Sequence, residues 1–323
     1  MIEYLYLIGG LILLIQGSDW LLEGAASLAK KFNIHKLIIG LTIVAFGTSL
    51  PELFVSIVGS TTGGTNIVLG NLFGSNIANI LLILGITALI MPFPLHHNTI
   101  WKEIPFSFLT FVVVLLLSHK AIFGMQNMLT QIDGIILLLL FVLFIYYAAD
   151  LIRERHEERV EAKEEIELAE PKFKNMYMVL GSLIVGVIAL YSGGRMTVDS
   201  VIVIAANLGI SQYFISATVL AIGTSLPELF VSIRAAFRKE IDLAVGNIIG
   251  SNIFNTLFVL GIATIIKPIQ TPNTLMIDII IMMAATLMLF LFMFIGKKNM
   301  LKRWQGVIFI LSYISYIGYL IFR

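Results

Sequence analysis

The sequence predicts an all-α polytopic membrane protein, with ten transmembrane helices arranged as two inverted-topology repeats of five. Three observations lead to this fold class. First, 58% of the 323 residues are hydrophobic and 13% are charged, about half the charged fraction of a soluble domain. Second, apolar runs long enough to cross a bilayer recur along the whole chain, with the charges confined between them. Third, two polar motifs inside these runs each occur twice, at a constant offset of 176 residues.

Ten apolar segments are the predicted transmembrane spans. The first segment lacks the basic start and the small-residue cleavage site of a secretory signal, so we expect it to be retained as a span. Several segments contain glycine, proline or asparagine, which membrane helices tolerate where neighbours or water satisfy the freed backbone groups. In chain order the predicted spans are residues 4–29, 37–58, 66–91, 101–118, 127–150, 176–206, 213–235, 243–267, 274–296 and 304–322.

Lysine and arginine are distributed unequally between the two sides of the predicted membrane. Most of the 21 basic residues lie in connections that follow odd-numbered spans. The positive-inside rule then places these connections in the cytoplasm and both chain termini outside. The sequence therefore predicts a multi-pass protein of the cell membrane, with both termini extracellular.

One long polar run divides the chain into halves. Residues 1–150 form the first predicted five-helix repeat, 151–175 a charged cytoplasmic linker, and 176–323 the second repeat. Because each half has an odd number of spans, the second half enters the membrane from the opposite side. Inverted repeats of this kind form substrate sites near the midplane, where the halves meet. A regulatory ion-binding role for the linker is the alternative, but the segment has little room to fold.

A glutamate stands in each copy of the first repeated motif. Residues 45–57 read Ala-Phe-Gly-Thr-Ser-Leu-Pro-Glu-Leu-Phe-Val-Ser-Ile, and residues 221–233 differ only in having Ile222 in the second place. An ionisable residue within a membrane span indicates a functional site. Glu52 and Glu228 are therefore the predicted centre of this site.

The proline of this motif is expected to break its helix. Pro51 has no N–H to donate to the carbonyl of Gly47, and the glycine makes the distortion less costly. The break would expose backbone carbonyls beside side-chain oxygens on the same helix face. The residues placed there are Ala45, Thr48, Ser49 and Glu52 in the first copy, and Ala221, Thr224, Ser225 and Glu228 in the second.

The second motif adds a stripe of polar side chains to the following span. Residues 70–79 and 246–255 share the pattern Gly-Asn-x-x-Gly-Ser-Asn-Ile-x-Asn. Its oxygen-bearing residues recur every four positions and so lie on one face of a helix. They are Asn71, Ser75 and Asn79 in the first half, and Asn247, Ser251 and Asn255 in the second. Asn76 and Asn252 point elsewhere and are candidates for helix contacts.

The chemistry of these motifs is that of oxygen ligands alone. The chain has no cysteine, which excludes thiolate metal sites, disulfides and cysteine catalysis, and the motifs contain no histidine. Hard cations prefer such a set, and Ca²⁺ accepts 6–8 oxygens. Two empty carboxylates in a membrane would require protons or other cations, so Ca²⁺ and several monovalent ions can alternate there. The competing interpretation is that the small polar residues only pack helices together.

The two motif pairs resemble the inverted alpha-repeats of the sodium/calcium exchanger family, within the cation/calcium antiporters, and the resemblance covers the ten-span layout. It implies that Glu52 and Glu228 are the principal Ca²⁺ ligands, with the backbone carbonyls of Thr48 and Thr224. It implies sodium sites at Ser49, Ser225, Ser75, Ser251 and the carbonyls of Ala45 and Ala221. Asn79 and Asn255 complete the predicted set; aspartate stands at the latter position in some relatives, including potassium-dependent ones, so asparagine argues against potassium co-transport. Spans 1 and 6 would form the mobile pair.

The predicted function is secondary active antiport of Ca²⁺ against Na⁺ by alternating access, with electrogenic Ca²⁺ extrusion and no cofactor. We expect the protein to work as a monomer in the lipid bilayer, without nucleic acid and without enzymatic activity. The chief alternative is a H⁺/Ca²⁺ antiporter that uses the same two glutamates, although the serines favour sodium. A cation channel would need subunits around a pore, and an enzyme a Ser–His, paired-Asp or zinc constellation; the spans contain no such constellation.

Further polar residues lie outside the two motifs. For the charged residues of spans 1 and 6, a pairing or hydrated-pathway role is expected rather than ion ligation; they are Asp19, Glu23, Arg195 and Asp199. His96 and His97 stand in a polar connection, where a loop role is expected rather than a metal site.

Overall fold

The structure is a computed structural model that describes residues 2–62, 65–119, 126–162, 173, 175–207, 221–296 and 298–322. These residues are predominantly helical. Seven helices are long and apolar enough to cross a membrane, or eight if a bent pair, Lys36–Thr48 with Leu50–Thr62, is one span. A helical protein with several membrane spans is therefore confirmed, whereas the count of ten and the repeat arrangement stay predictions.

In the first half of the chain, long helices are interrupted by short π-helical segments. The order is α1 (Ile2–Lys31), α2 (Lys36–Ile39), π1 (Gly40–Val44), α3 (Ala45–Thr48), α4 (Leu50–Thr62), α5 (Thr65–Ala78), π2 (Asn79–Ile83), α6 (Leu84–Ile90), π3 (Thr99–Glu103), α7 (Ile104–Ser118) and α8 (Gln131–Ala162). The last of these helices continues past the predicted end of its span, so the beginning of the predicted linker is helical.

The second half has a similar order of helices. It comprises α9 (Met176–Asn207), α10 (Ala221–Gly223), α11 (Leu226–Phe237), α12 (Ile241–Ile253), π4 (Phe254–Val259), α13 (Leu260–Ile266), α14 (Asn273–Phe292) and α15 (Arg303–Phe322). Two predictions fall partly outside the described residues: the start of the span at 213–235, and residues 163–172 and 174 of the linker at 151–175.

Two short antiparallel strand pairs connect the halves of the chain. Strand β1 (Phe93–Pro94) pairs with β4 (Met300–Leu301), and β2 (Met128–Leu129) pairs with β3 (Ile269–Gln270). Each strand has two residues, which is too short for the alternating pattern that predicts strands from sequence. The β2 strand is also the reason that α8 begins at Gln131 rather than at residue 127, where the sequence placed the start of the span.

The two helices that carry the repeated asparagine motif form the centre of the molecule. The most apolar 18-residue window of each of these helices is largely buried by other parts of the protein: 72% of the window within Asn66–Ile90 and 83% of the window within Ile241–Ile266. The corresponding window within Gln131–Leu151 is only 28% buried. Helices that are buried by protein rather than by lipid can carry polar side chains at little cost. The polar motifs therefore occupy the part of the fold that is best shielded from lipid.

Helices α1 and α9 pack closely along their length through glycines. They contain 30 and 32 residues and are thus each about 45 Å long, enough to cross a hydrocarbon core of about 30 Å. A Cβ atom added at Gly17 would lie 2.9 Å from the backbone nitrogen of Leu190, and one added at Gly186 would lie 2.7 Å from that of Leu21. Small residues let membrane helices approach at backbone distance, so α1 and α9 form one tightly packed pair.

Ion pairs involve all four charged residues that the sequence placed in spans 1 and 6. Arg234 of α11 and Arg238, which directly follows this helix, bind the two carboxylates of α1 and connect the α1–α9 pair to α11. The contacts are Arg234 Nη2–Asp19 Oδ2 (2.6 Å), Arg238 Nη2–Asp19 Oδ1 (2.8 Å), Arg238 Nη2–Glu23 Oε1 (3.0 Å) and, within α9, Arg195 Nε–Asp199 Oδ2 (3.7 Å).

Candidate cation site

The chain leaves the helical conformation in both copies of the first motif. Ser49 (φ −87°, ψ 8°) and Ser225 (φ −85°, ψ 5°) adopt nearly the same backbone conformation, in the sparsely allowed region that many active-site residues occupy. The helical segments before and after Ser49 are bent by 45°. The expected break is confirmed, and it lies two residues before Pro51, whose missing N–H prevents a regular helix there.

The predicted site residues are almost all buried. Thr224 is half-buried, and the side chain of Ala221 lies outside the description, although its backbone belongs to α10. The other ten are at most 2% exposed: Ala45, Thr48, Ser49, Glu52, Ser75, Asn79, Ser225, Glu228, Ser251 and Asn255. This degree of burial for two glutamates is rare unless each carboxylate has a partner or binds a metal ion.

Serine hydroxyls connect the two glutamates into one site. Ser49 Oγ donates to Glu228 Oε1 at 2.9 Å, and Ser251 Oγ donates to the same oxygen at 3.4 Å. Ser75 Oγ donates to Glu52 Oε1 at 3.2 Å. The bond from Ser49 joins the broken helix of the first half to the glutamate of the second. The side chains predicted from the two motif pairs therefore meet in the interior.

Threonine–asparagine pairs join the same helices across the halves. Thr48 Oγ1 donates to Asn247 Oδ1, and Thr224 Oγ1 donates to Asn71 Oδ1, both at 2.9 Å. The two bonds relate positions separated by the 176-residue offset. The two asparagines were placed in the polar stripes but not among the ligands; the structure shows that they hold the threonine side chains beside the break.

The asparagines at the end of the second motif are held by neighbouring asparagines. Asn79 Nδ2 donates to Asn252 Oδ1 at 2.9 Å, and Asn255 Nδ2 donates to Asn76 Oδ1 at 3.3 Å. Asn76 also donates to Thr256 at 2.9 Å. The expected bracing role of Asn76 and Asn252 agrees with these bonds, which fix each amide group so that its own carbonyl oxygen is left as an acceptor.

These asparagines lie in π-helical segments that sequence analysis missed. Asn79 is the first residue of π2, and Asn255 is the second residue of π4. A π-helical segment within an α-helix is frequent at functional sites, because it changes the direction of side chains over a single turn. No residue pattern predicts a π-helical segment. The only available signal was that the asparagine motif occurs twice, which marks both positions as functional candidates without indicating the local helix type.

Five buried oxygen atoms of the site have no hydrogen-bond partner among the described residues. They are Glu52 Oε2, Glu228 Oε2, Asn79 Oδ1, Asn255 Oδ1 and Ser225 Oγ. The great majority of buried polar atoms in proteins are hydrogen-bonded, and an unpaired buried group carries a desolvation cost of about 1–3 kcal/mol, with more for a charged one. Cations bound at the site could take these oxygen atoms as ligands.

The electrostatics of the site also favour a cation. Within the described part of the chain, the side-chain hydrogen bonds that Glu52 and Glu228 accept all come from hydroxyl groups, and neither carboxylate has a basic partner. Two carboxylates in a low-dielectric interior repel each other and lose the hydration that stabilises their charge. Chemically, the arrangement can bind one divalent cation or exchange it for monovalent cations or protons.

Comparison with known proteins identifies relatives that are described as exchangers or antiporters. A family model described as "Sodium/calcium exchanger protein" matches residues 2–149 and 178–322. The chain is 38% identical over 325 residues to CaxA of Alkalimonas amylolytica, which is named as a candidate antiporter, covering 100% of this chain and 99% of the relative. It is 30% identical to the sodium/calcium exchanger MaX1 of Methanosarcina acetivorans, covering 98% and 97%. The structure of the sodium–calcium exchanger NCX_Mj, soaked with Na⁺ and Ca²⁺, superposes with a TM-score of 0.81 at 32% identity, covering 98% of both chains.

Proposed function

The chain belongs to the sodium/calcium exchanger family of membrane antiporters, and from this premise we propose that it extrudes Ca²⁺ from the cell in exchange for Na⁺ at a site centred on Glu52 and Glu228. The observation that carries the proposal is the set of five buried oxygen atoms without partners among the described residues. Ca²⁺ takes 6–8 oxygen ligands in flexible geometry, so these atoms and nearby backbone carbonyls can supply its coordination.

In the Ca²⁺-bound state, the ligands would be Glu52 and Glu228 with the backbone carbonyls of Thr48 and Thr224. The two carboxylates cancel the charge of the ion, which removes the main obstacle to burying it in the membrane. Hydrogen bonds from the hydroxyls of Thr48 and Thr224 to Asn247 and Asn71 hold these threonines in place, which leaves their carbonyls beside the break.

In the Na⁺-bound state, the serine hydroxyls would act as additional ligands, and the two glutamates that bind Ca²⁺ would also bind sodium. The proposed sodium ligands are Ser49, Ser225, Ser75, Ser251 and the carbonyls of Ala45 and Ala221, with Asn79 and Asn255 lining the site. The Ala45 carbonyl accepts the N–H of Ser49 at 3.0 Å and the hydroxyl of Thr48 at 3.3 Å. Because Thr48 also donates to Asn247 at 2.9 Å, sodium can replace the weaker hydroxyl bond at Ala45.

The exchange cycle would be electrogenic. With two carboxylates, bound Ca²⁺ gives a neutral complex, whereas three bound Na⁺ give one positive charge. Moving one charge across 100 mV is worth about 2.3 kcal/mol, so the membrane potential would help to expel Ca²⁺. All the proposed ligands come from one chain, which supports a functional monomer.

Alternating access would follow from the inverted repeat. We assign residues 1–150 and 176–323 to its two halves, joined by the cytoplasmic linker 151–175, with both termini outside the cell. The tightly packed α1–α9 pair would move as one body against the helices that carry the site, and this movement would break the ion pairs that join Asp19 and Glu23 to Arg234 and Arg238. Matched hydrogen bonds at the 176-residue offset, such as Thr48–Asn247 and Thr224–Asn71, support this arrangement.

The decisive experiment measures uptake of radioactive calcium into proteoliposomes, with outward Na⁺ and H⁺ gradients imposed separately. We expect uptake with the Na⁺ gradient in the wild-type protein and its loss in Glu52→Gln, because one carboxylate cannot balance the charge of Ca²⁺. Removing one partner of a buried ion pair costs about 3–5 kcal/mol. Glu103→Gln is the matched control, because Glu103 is also fully buried but lies outside the site, where it accepts a hydrogen bond from Tyr147 at 2.6 Å.

Three outcomes would contradict parts of the proposal. Full Na⁺-driven uptake in Glu52→Gln would exclude the carboxylate pair as the site. Equal loss of uptake in the Glu103→Gln control would show that the loss in Glu52→Gln follows from replacing a buried glutamate in general and does not identify the site. Uptake with the H⁺ gradient alone would establish proton coupling and leave the serines a structural role.

A further inference from the structure

We propose that His35, His96 and Asp242 form a second metal site, for a transition-metal ion of the Zn²⁺ type. The site lies on the side of the molecule where the connections that follow odd-numbered spans carry most of the basic residues. The three residues belong to three separate parts of the chain. His35 precedes α2, His96 lies in the connection between β1 and π3, and Asp242 is the second residue of α12. The site shares no residue with the glutamate site.

The spacing of the three side chains suits a tetrahedral ion. His96 Nε2 lies 3.0 Å from Asp242 Oδ1, and His35 Nε2 lies 3.8 Å from Asp242 Oδ2. Ligand atoms bound to Zn²⁺ at 2.0–2.1 Å are about 3.3 Å apart at tetrahedral angles, so each imidazole nitrogen lies near this spacing from one of the two carboxylate oxygens, although not from the same one. All three ligand atoms are within 4.8 Å of one another, and rotation of the imidazole rings can close the remaining gap.

The chemistry of the ligands selects the metal. Two imidazole nitrogens and one carboxylate oxygen suit Zn²⁺ and its neighbours Co²⁺ and Ni²⁺, whereas Ca²⁺ and Mg²⁺ prefer oxygen alone. Three protein ligands leave a fourth position for water. A cavity of about 520 Å³, lined in part by the three residues, provides the space for that water and a route for the ion.

Metal binding would change one existing hydrogen bond. His35 Nδ1 accepts the N–H of Leu37 at 3.2 Å at the start of α2. If Nε2 binds the metal, a neutral imidazole carries its proton on Nδ1 and can no longer accept this bond. The bonds from Ile38 N–H (3.0 Å) and Ile39 N–H (3.4 Å) to the carbonyl of His35 do not involve the ring, so the helix keeps its start.

A metal at this position would tie together two helices that lead into the cation site. The chain from α2 reaches the break at Ser49, and α12 carries Asn247 and Ser251. An ion pair between Lys36 and Glu240 already joins the starts of the same two helices. The metal would add a second connection next to it, on the side that the distribution of basic residues assigns to the cytoplasm.

The test is Zn²⁺ binding to the purified full-length protein in detergent, with saturating Ca²⁺ present to occupy the oxygen site. Calorimetry should find one Zn²⁺ per chain, and the visible absorption of Co²⁺ should report a tetrahedral site with nitrogen ligands. We expect His96→Asn and Asp242→Asn each to weaken binding by at least about tenfold, since loss of groups that only orient a ligand already costs 10–100-fold. His97→Asn should bind as the wild type does, because this neighbouring exposed histidine lies beside Trp101 instead.

The proposal is overturned if the wild-type protein binds no Zn²⁺ under these conditions. It is also overturned if His97→Asn weakens binding as much as His96→Asn, or if the Co²⁺ absorption is the same in all variants. Thermal unfolding without metal identifies any variant that is destabilised by itself. Since Asp242→Asn preserves the size of the side chain and the Lys36–Glu240 pair, it decides the question if His96→Asn does not fold.

Discussion

Replacing Ser49 with alanine removes the shorter of the two serine hydrogen bonds to Glu228 Oε1. The bond from Ser49 measures 2.9 Å, and the one that remains, from Ser251, measures 3.4 Å. Without a bound cation, the buried carboxyl groups are expected to be protonated, and a hydrogen bond between neutral groups contributes about 0.5–1.5 kcal/mol. We therefore expect Ser49→Ala to destabilise the ion-free protein by about 0.5–1.5 kcal/mol.

Ser225→Ala is the matched control at the equivalent position. The hydroxyl of Ser225 has no partner among the described residues, so its removal breaks no hydrogen bond there. We expect a change within about 0.5 kcal/mol, as for substitutions that disturb no specific contact. Because both serines are proposed sodium ligands, both variants should nevertheless require more Na⁺ for half-maximal stabilisation.

Thermal unfolding in detergent measures both effects, first in buffer free of Na⁺ and Ca²⁺ and then during titration with Na⁺. We expect the two variants to differ in stability without ions and to show a similar weakening of sodium binding. Equal destabilisation in ion-free buffer would refute the assigned hydrogen bond. An unchanged sodium dependence in Ser225→Ala would refute its role as a ligand.

Two further predictions concern the α1–α9 pair and its attachment, and thermal unfolding in detergent checks both. Gly17→Ala should lower stability by about 1–3 kcal/mol through overpacking, since the new Cβ atom would lie 2.9 Å from a backbone nitrogen of α9. Gly318→Ala is its control, because no atom lies within 4 Å of a Cβ atom added there; equal losses in the two variants would contradict the close packing. Arg234→Gln should lower the unfolding temperature, because it breaks two bonds to the partly buried Asp19, at 2.9 and 2.6 Å. Arg195→Gln should have little effect, since an exposed ion pair contributes about 0–1 kcal/mol.

The residues that meet at the candidate site could be recognised in the sequence because they conflict with their apolar surroundings. A glutamate beside a proline within an apolar run is unfavourable unless it has a function, and Glu52 and Glu228 show this conflict in the sequence alone. The break near Pro51 followed from the missing N–H, and the structure confirms it with the 45° bend. The residue types and their spacing within one span were sufficient to predict the position of the two glutamates and the helix break.

Other features depend on contacts between distant parts of the chain. The π-helical positions of Asn79 and Asn255 have no sequence signature, and the strands of two residues are too short to leave one. His35 and Asp242 are far apart in the sequence, so their proximity to His96 could not be foreseen from spacing. His96 was expected to have a loop role rather than to bind a metal ion, and the proposed second site departs from that expectation because the neighbours of His96 were not predictable.

One hydrogen bond breaks the symmetry of the duplicated site. Ser49 donates to Glu228, whereas Ser225, at the equivalent position, has no partner among the described residues. Under the proposed inverted repeat, an arrangement in which Ser225 donates to Glu52 and Ser49 is released would use the same kinds of atoms. The hydrogen bond that one serine loses would then be regained by the other, so the change from one arrangement to the other need not alter the number of hydrogen bonds that the two glutamates accept.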